Sequence, residues 1–217
     1  MKPARVSRRA LLGLGALSLG AFGLGAWLRR GLPLGEDVSD RIDVAEMAAA
    51  PGFPGEGRNG APITMLVFSD YACGVCRQVE PWWREAVREA AKNGNPVRVV
   101  HRDWPILGPQ SLRAAQVALA AQYQGRYIPA HDALMRSPGL SEAAVRAAVA
   151  DAGLDWALLE ADLAANADTI NDKLARTAQD ALRLGFAGTP GFLIGPIRIN
   201  GGASERQFAG AIERARG

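Results

Sequence analysis

Cysteine and histidine are scarce in this 217-residue chain, which holds two of each: Cys73, Cys76, His101 and His131. Without a third cysteine there is no structural disulfide framework. A zinc site wants about four ligands, usually from a second Cys/His pair at similar spacing. The two histidines stand too far apart in sequence to supply one. Acidic residues are missing from positions 1–30, which carry Lys2, Arg5, Arg8, Arg9, Arg29 and Arg30. The formal charge of +3 therefore belongs to this leader: without those six bases, the 25 basic and 22 acidic residues leave a net −3. No nucleic-acid surface is implied. There is no internal repeat and no low-complexity tail, and the length suits one domain plus extras around a sizeable core.

What is present centres on Cys73-Gly74-Val75-Cys76, which follows the apolar run Ile63 to Phe68 and opens a helical pattern. Cysteines three apart on a first helical turn lie on the same side, within bridging reach. The first sits where free backbone N–H groups and the helix dipole favour an anion, which lowers a thiol pKa and enriches the reactive thiolate. The pair reads as a redox dithiol. Two other readings share the spacing: buried structural cysteines, and a copper or zinc carrier, since soft thiolates suit Cu(I). No methionine or histidine falls between Cys73 and Cys76 or beside Thr189-Pro190 to support a carrier.

In chain order, residues 1–9 are basic and Ala10 to Leu28 is apolar and uncharged. This is a signal-peptide pattern or a minimal membrane span. Ser7-Arg8-Arg9-Ala10-Leu11-Leu12 resembles a twin-arginine export signal, without its customary lysine and phenylalanine. Arg29 and Arg30 directly after the run, and the lack of an A-x-A site, favour an uncleaved anchor over a cut signal. Either way the folded part is expected outside the cytoplasmic membrane, where disulfides form. Residues 31–60 read as a linker with a possible short helix between Asp40 and Ala50. Ile63 to Phe68 fits a strand buried on both faces. The helix after Cys73 stops at Asn93-Gly94, with Pro81 expected to kink it. Val97 to Arg102 is the next strand; His101 near its end has no visible partner and reads as structural. From Gln110 to Leu184 every segment reads as helix, alanine-rich, with His131 expected at the surface. Phe192 to Ile194 and Ile197 to Asn200 form a hairpin, and Ser204 with Gln207 forms a capping box for the last helix.

Three segments carry a family resemblance: Phe68-Ser69-Asp70-Tyr71-Ala72-Cys73-Gly74-Val75-Cys76; Arg102-Asp103-Trp104-Pro105-Ile106-Leu107-Gly108 with Ser111 and Ala114-Ala115; and Gly188-Thr189-Pro190-Gly191-Phe192-Leu193-Ile194 with Asn200-Gly201-Gly202-Ala203. In this order the chain resembles the DsbA-like thiol:disulfide oxidoreductases, from about residue 59 to about residue 214. The resemblance implies an α/β thioredoxin fold, a central mixed sheet flanked by helices, formed by 61–103 and 186–217 with an all-helical insertion at 104–185. It implies that Cys73 is the exposed nucleophile, Cys76 the buried resolving thiol, and Pro190 a cis-proline beside them. The backbone at Thr189 would pair with a substrate chain like an added strand. Oxidation of exported proteins is the expected activity, with a membrane partner to restore the disulfide and no cofactor beyond the cysteine pair. The alternative is a reductase or isomerase kept reduced by a membrane electron donor. Strong oxidants of the family often carry Pro-His or Pro-Tyr between the cysteines; Gly74-Val75 offers no such group, so a less oxidising pair is expected.

Overall fold

The computed structural model describes residues 35–216. The expected leader, residues 1–30, lies outside them. Among the described residues no helix is long and apolar enough to cross a membrane.

A six-stranded mixed sheet forms the centre, in the order β1-β6-β5-β3-β4-β2. Its strands are β1 (Glu36–Asp37), β2 (Gly55–Glu56), β3 (Ile63–Ser69), β4 (Val97–Asp103), β5 (Gly191–Ile194) and β6 (Ile197–Asn200). β3 and β4 run parallel from Ile63↔Val97 to Ser69↔Asp103, joined by α2 (Gly74–Lys92). β5 pairs antiparallel with β3, and β6 closes the expected hairpin. The near-continuous apolar sequence of β3 follows from burial on both faces. Leu66, Phe68, Val100 and Leu193 pack into one core with Ala181, Leu184 and Phe186. On the opposite face Trp83 of α2 meets His101, ring centroids 6.2 Å apart, and Phe208 meets Phe192 edge-on at 4.8 Å. Phe208 belongs to α8 (Glu205–Arg214), started by the expected capping box of Ser204 and Gln207. α2 runs through Pro81 as one element.

Five helices stand between β4 and β5: α3 (Pro109–Ala120), α4 (Tyr127–Arg136), α5 (Glu142–Asp151), α6 (Trp156–Ala165) and α7 (Ala167–Arg183). After α3 the chain tightens into a 3-10 turn, Ala121–Gln124, before Gly125 turns left-handed. Ser141 and Asp155 cap α5 and α6 through their side chains, as their sequence positions suggest. Small side chains such as Ala114, Ala115 and Ala118 allow these helices to approach closely around Leu134, Val145, Leu159 and Ile170.

The segment expected as a linker is, from Gly35 onward, part of the fold. β1 extends the hairpin beside β6, α1 (Val44–Ala49) buries Met47, and β2 pairs with β4 on the far side of the sheet. Glycine and proline here serve tight turns between short elements rather than flexibility. Arg102 anchors the segment from below. It is fully buried, bonds Asp180 of α7 at 3.3 Å, donates to the Met47 carbonyl at 2.8 Å and lies 3.5 Å over the Phe53 ring. Gly57 has φ +86°, and an added Cβ would stand 2.7 Å from the Val97 carbonyl oxygen. Gly57→Ala is therefore expected to cost about 1–3 kcal/mol in urea unfolding, from backbone strain alone.

Candidate active site

Cys73 ends the loop that leaves β3 and is itself the N-cap of α2; its sulfur accepts the Cys76 N–H at 3.2 Å. A capping position normally held by serine, threonine or aspartate is held by a thiol. Cys76 lies one turn on, and both cysteines are free. The Cys73 thiol is drawn down to about 6 by the hydrogen bond with Cys76, against its own burial, with help from Thr189 and the N–H groups of Cys76 and Val75. The same hydrogen bond and burial push Cys76 well up. One thiol is thus prepared to ionise and the other to stay protonated. Cys73 is the more accessible of the two, but at 6% against 2% it is buried rather than exposed as expected.

Across the site the Thr189–Pro190 bond is cis, as the resemblance implies. As a thiol, Cys73 donates to the Thr189 carbonyl at 3.4 Å. The Pro190 carbonyl is taken by the Gly201 N–H at 2.9 Å, so the loop after β6 supports the proline loop. An added Cβ on Gly202 would come within 3.0 Å of Val75 and Val79, so α2 closes directly against this second loop.

Asp70 holds the loop before the C-x-x-C in shape, a role not apparent in the sequence. One carboxylate oxygen accepts the Ala72 N–H at 2.8 Å and the Ser111 hydroxyl; the other accepts the N–H groups of Ile106 and Leu107 at 2.8 and 3.0 Å. The Ser-Asp-Tyr before the C-x-x-C, an acid in an otherwise apolar approach, was the available signal. Arg77, on the first turn of α2, donates to the Tyr71 carbonyl at 2.8 Å and to the carbonyls of Leu134 and Ser137.

Both histidines depart from expectation. His131 is fully buried, not at the surface: Nδ1 meets the Tyr71 hydroxyl at 2.9 Å and Nε2 meets Glu80 at 3.1 Å. Its spacing from Tyr127 and Leu134 places it on the apolar stripe of α4, which the sequence reading overlooked. His101 does have a partner, Glu56 at 3.0 Å, and burial lowers its pKa to about 4. It therefore stays neutral at physiological pH.

The sign of the Cys73 shift gives a prediction. A folded-state pKa below the thiol's ordinary 9.0 stabilises the reduced protein fully above that value, and the gain is lost as pH falls through about 6. Thiolate absorbance near 240 nm should rise with a midpoint near pH 6 in the reduced protein. Its urea stability relative to the oxidised form should decline as pH falls from about 9 to 6. A midpoint at the ordinary thiol value would contradict both.

A C-x-x-C at a helix start, on a mixed sheet and facing a cis X-Pro loop, defines the thioredoxin class of thiol–disulfide oxidoreductase. The family described as thioredoxin matches residues 54–214. The chain belongs to that family. It is similar to a thioredoxin-like oxidoreductase from Silicibacter pomeroyi DSS-3: 33% identity, TM-score 0.72, over 81% of this chain and 98% of that one. The thiol-disulfide exchange protein alpha-DsbA2 from Wolbachia pipientis superposes with TM-score 0.72 at 24% identity, over 82% of this chain and 93% of that one. The Na(+)/H(+) antiporter NhaA 1 of Salinispora arenicola is 28% identical over 162 residues, 73% of this chain and 24% of the antiporter. The chain spans about a third or less of the length of each curated relative it matches.

Proposed function

We propose that this protein oxidises exported polypeptides through the Cys73–Cys76 pair. The observation that carries the reading is the thiol N-cap: a Cys73 thiolate held by helix N–H groups stabilises the reduced pair, and a stable reduced form is what makes the disulfide an oxidant. A substrate thiolate attacks the Cys73 sulfur of the disulfide. Cys76 leaves as thiolate and takes up a proton, as its raised pKa favours. A second substrate thiolate then attacks its partner sulfur in the mixed disulfide, and Cys73 departs as a thiolate. The substrate loses two electrons to the pair, which a membrane partner must remove. Thr189 and Pro190 serve substrate binding: main-chain pairing there ignores side-chain identity, which fits varied substrates. The basic and apolar leader supports a place outside the cytoplasmic membrane.

A second reading, a reductase kept reduced by a membrane electron donor, draws on Gly74-Val75, which adds no cation or polar side chain beside the thiols. Equilibrium with glutathione separates the two. A potential at or above about −180 mV supports a disulfide donor; one near about −270 mV makes the protein a reductase.

A further inference from the structure

The exchange chemistry leaves a buried polar cluster unexplained. His131 of α4 touches the redox loop through Tyr71, which packs in one buried cluster with Cys73 and Cys76. Several elements bring titratable or charged groups to the surroundings of the imidazole. α2 brings Glu80 and, bonded to it at 2.9 Å, Arg84. β4 brings His101, its ring 4.5 Å from that of His131, and Asp103. Asp103 accepts the Tyr127 hydroxyl at 3.0 Å on both oxygens, and Tyr127 stacks on His131 with centroids 5.7 Å apart. β2 brings Glu56, bonded to Arg84 at 2.8 Å, and α4 adds Asp132 beside Arg84 at 3.0 Å. Two fixed carboxylates of the cluster, Glu56 and Asp132, are already answered by Arg84; Glu80 is shared between Arg84 and His131.

Resting on the reading that Cys73–Cys76 is the exchanging pair, we propose that His131 is a positioning residue for it. From the inserted helices, His131 holds Tyr71 and places a positive charge behind the redox loop, and so favours the reduced, thiolate-bearing pair over the disulfide. Burial and the nearby Arg84 oppose this charge, but the hydrogen bond and charge of Glu80, with the charge of Asp103, raise the imidazole above its ordinary value. The Arg77 clamp on the Tyr71 carbonyl reaches the end of the same helix, so side chain and main chain of Tyr71 are both referred to α4.

Coupling between two sites is reciprocal. If the His131 charge favours reduction, reduction must favour the charge, so His131 should titrate at higher pH in the reduced than in the oxidised protein. The chain has only two histidines, and His101 titrates near 4, so the two imidazoles are separable by NMR in the full-length wild-type protein. A shift of about 0.7 pH units between redox forms is expected, matching a fivefold change in the exchange equilibrium at the low end of typical couplings. His131→Gln should move the glutathione equilibrium about fivefold towards the disulfide and raise the midpoint of Cys73 thiolate absorbance. Identical titration of His131 in both redox forms overturns the proposal, and this comparison needs no variant to fold. A pair that exchanges with glutathione while His131 is indifferent defeats this inference alone. A pair that does not exchange at all defeats the proposed function.

Discussion

Replacing Cys73 by serine is expected to abolish disulfide exchange, lowering the rate with a thiol-containing peptide by at least about three orders of magnitude, the scale seen when a covalent catalyst loses its nucleophile. The hydroxyl can still accept the Cys76 N–H as an N-cap, so α2 keeps its start and the fold survives. What disappears is the sulfur on which a mixed disulfide forms. Cys76→Ser should behave differently. Cys73 keeps helix N–H groups around its sulfur but loses the Cys76 thiol, the largest influence on its acidity, so its pKa should rise. It can still be captured by a disulfide substrate, and with no internal thiol to resolve the adduct, mixed disulfides accumulate on non-reducing gels. Adducts in the Cys73→Ser protein, or exchange at near wild-type rate without Cys73, would place the chemistry elsewhere.

Asp180→Ala is expected to cost about 3–5 kcal/mol, the usual consequence of removing one member of a buried ion pair. For a chain of this size that corresponds to a melting temperature lower by about 6–20 °C. Arg102 cannot escape the loss. Its side chain is wholly buried, and although burial lowers its pKa to about 10 it remains charged at neutral pH. Asp180 also has Arg176 and Arg183 within 3.9 Å, so its removal leaves three cations near one another. The damage should spread beyond α7, because Arg102 also holds the Met47 carbonyl and Phe53. Hydrogen exchange should quicken first across residues 44–56. Pairing Arg102→Met with Asp180→Leu should recover much of the stability, since apolar replacement of both partners leaves no orphaned charge. A cost for Asp180→Ala below about 1 kcal/mol would mean that the pair is not holding the segment.

Much of this architecture was legible because local signals agreed with one another. The apolar run of β3, the C-x-x-C at a helix start, the capping serines and the Ser204–Gln207 box are short-range patterns, and each depends on a few adjacent residues. The misreadings concern residues whose partners are remote in sequence. Glu36–Asp37 and Gly55–Glu56 are strands only because β6 and β4 offer them edges, and two residues carry no periodicity to find. His131 is buried because Tyr71 and Glu80, about 50 to 60 residues away, satisfy both ring nitrogens. A polar residue on an apolar stripe is read as exposed until its partners are known. The role of Asp70 does not show in its motif, because its four donors come from the loop itself and from residues 106–111.

The two strands added by residues 36–56 close the sheet at opposite sides, each only two residues long. Long uncovered borders invite other chains to stack on them, and brief ones discourage it. A protein proposed to handle polypeptides before they have folded works among the most aggregation-prone material in its compartment. Here the short strands cover part of the outer edges of β6 and β4, and the proposed docking point at Thr189 leads into β5, an inner strand, not a border. A client can then be gripped over a few peptide units beside the sulfur and released, with only brief edge strands on which it could stack.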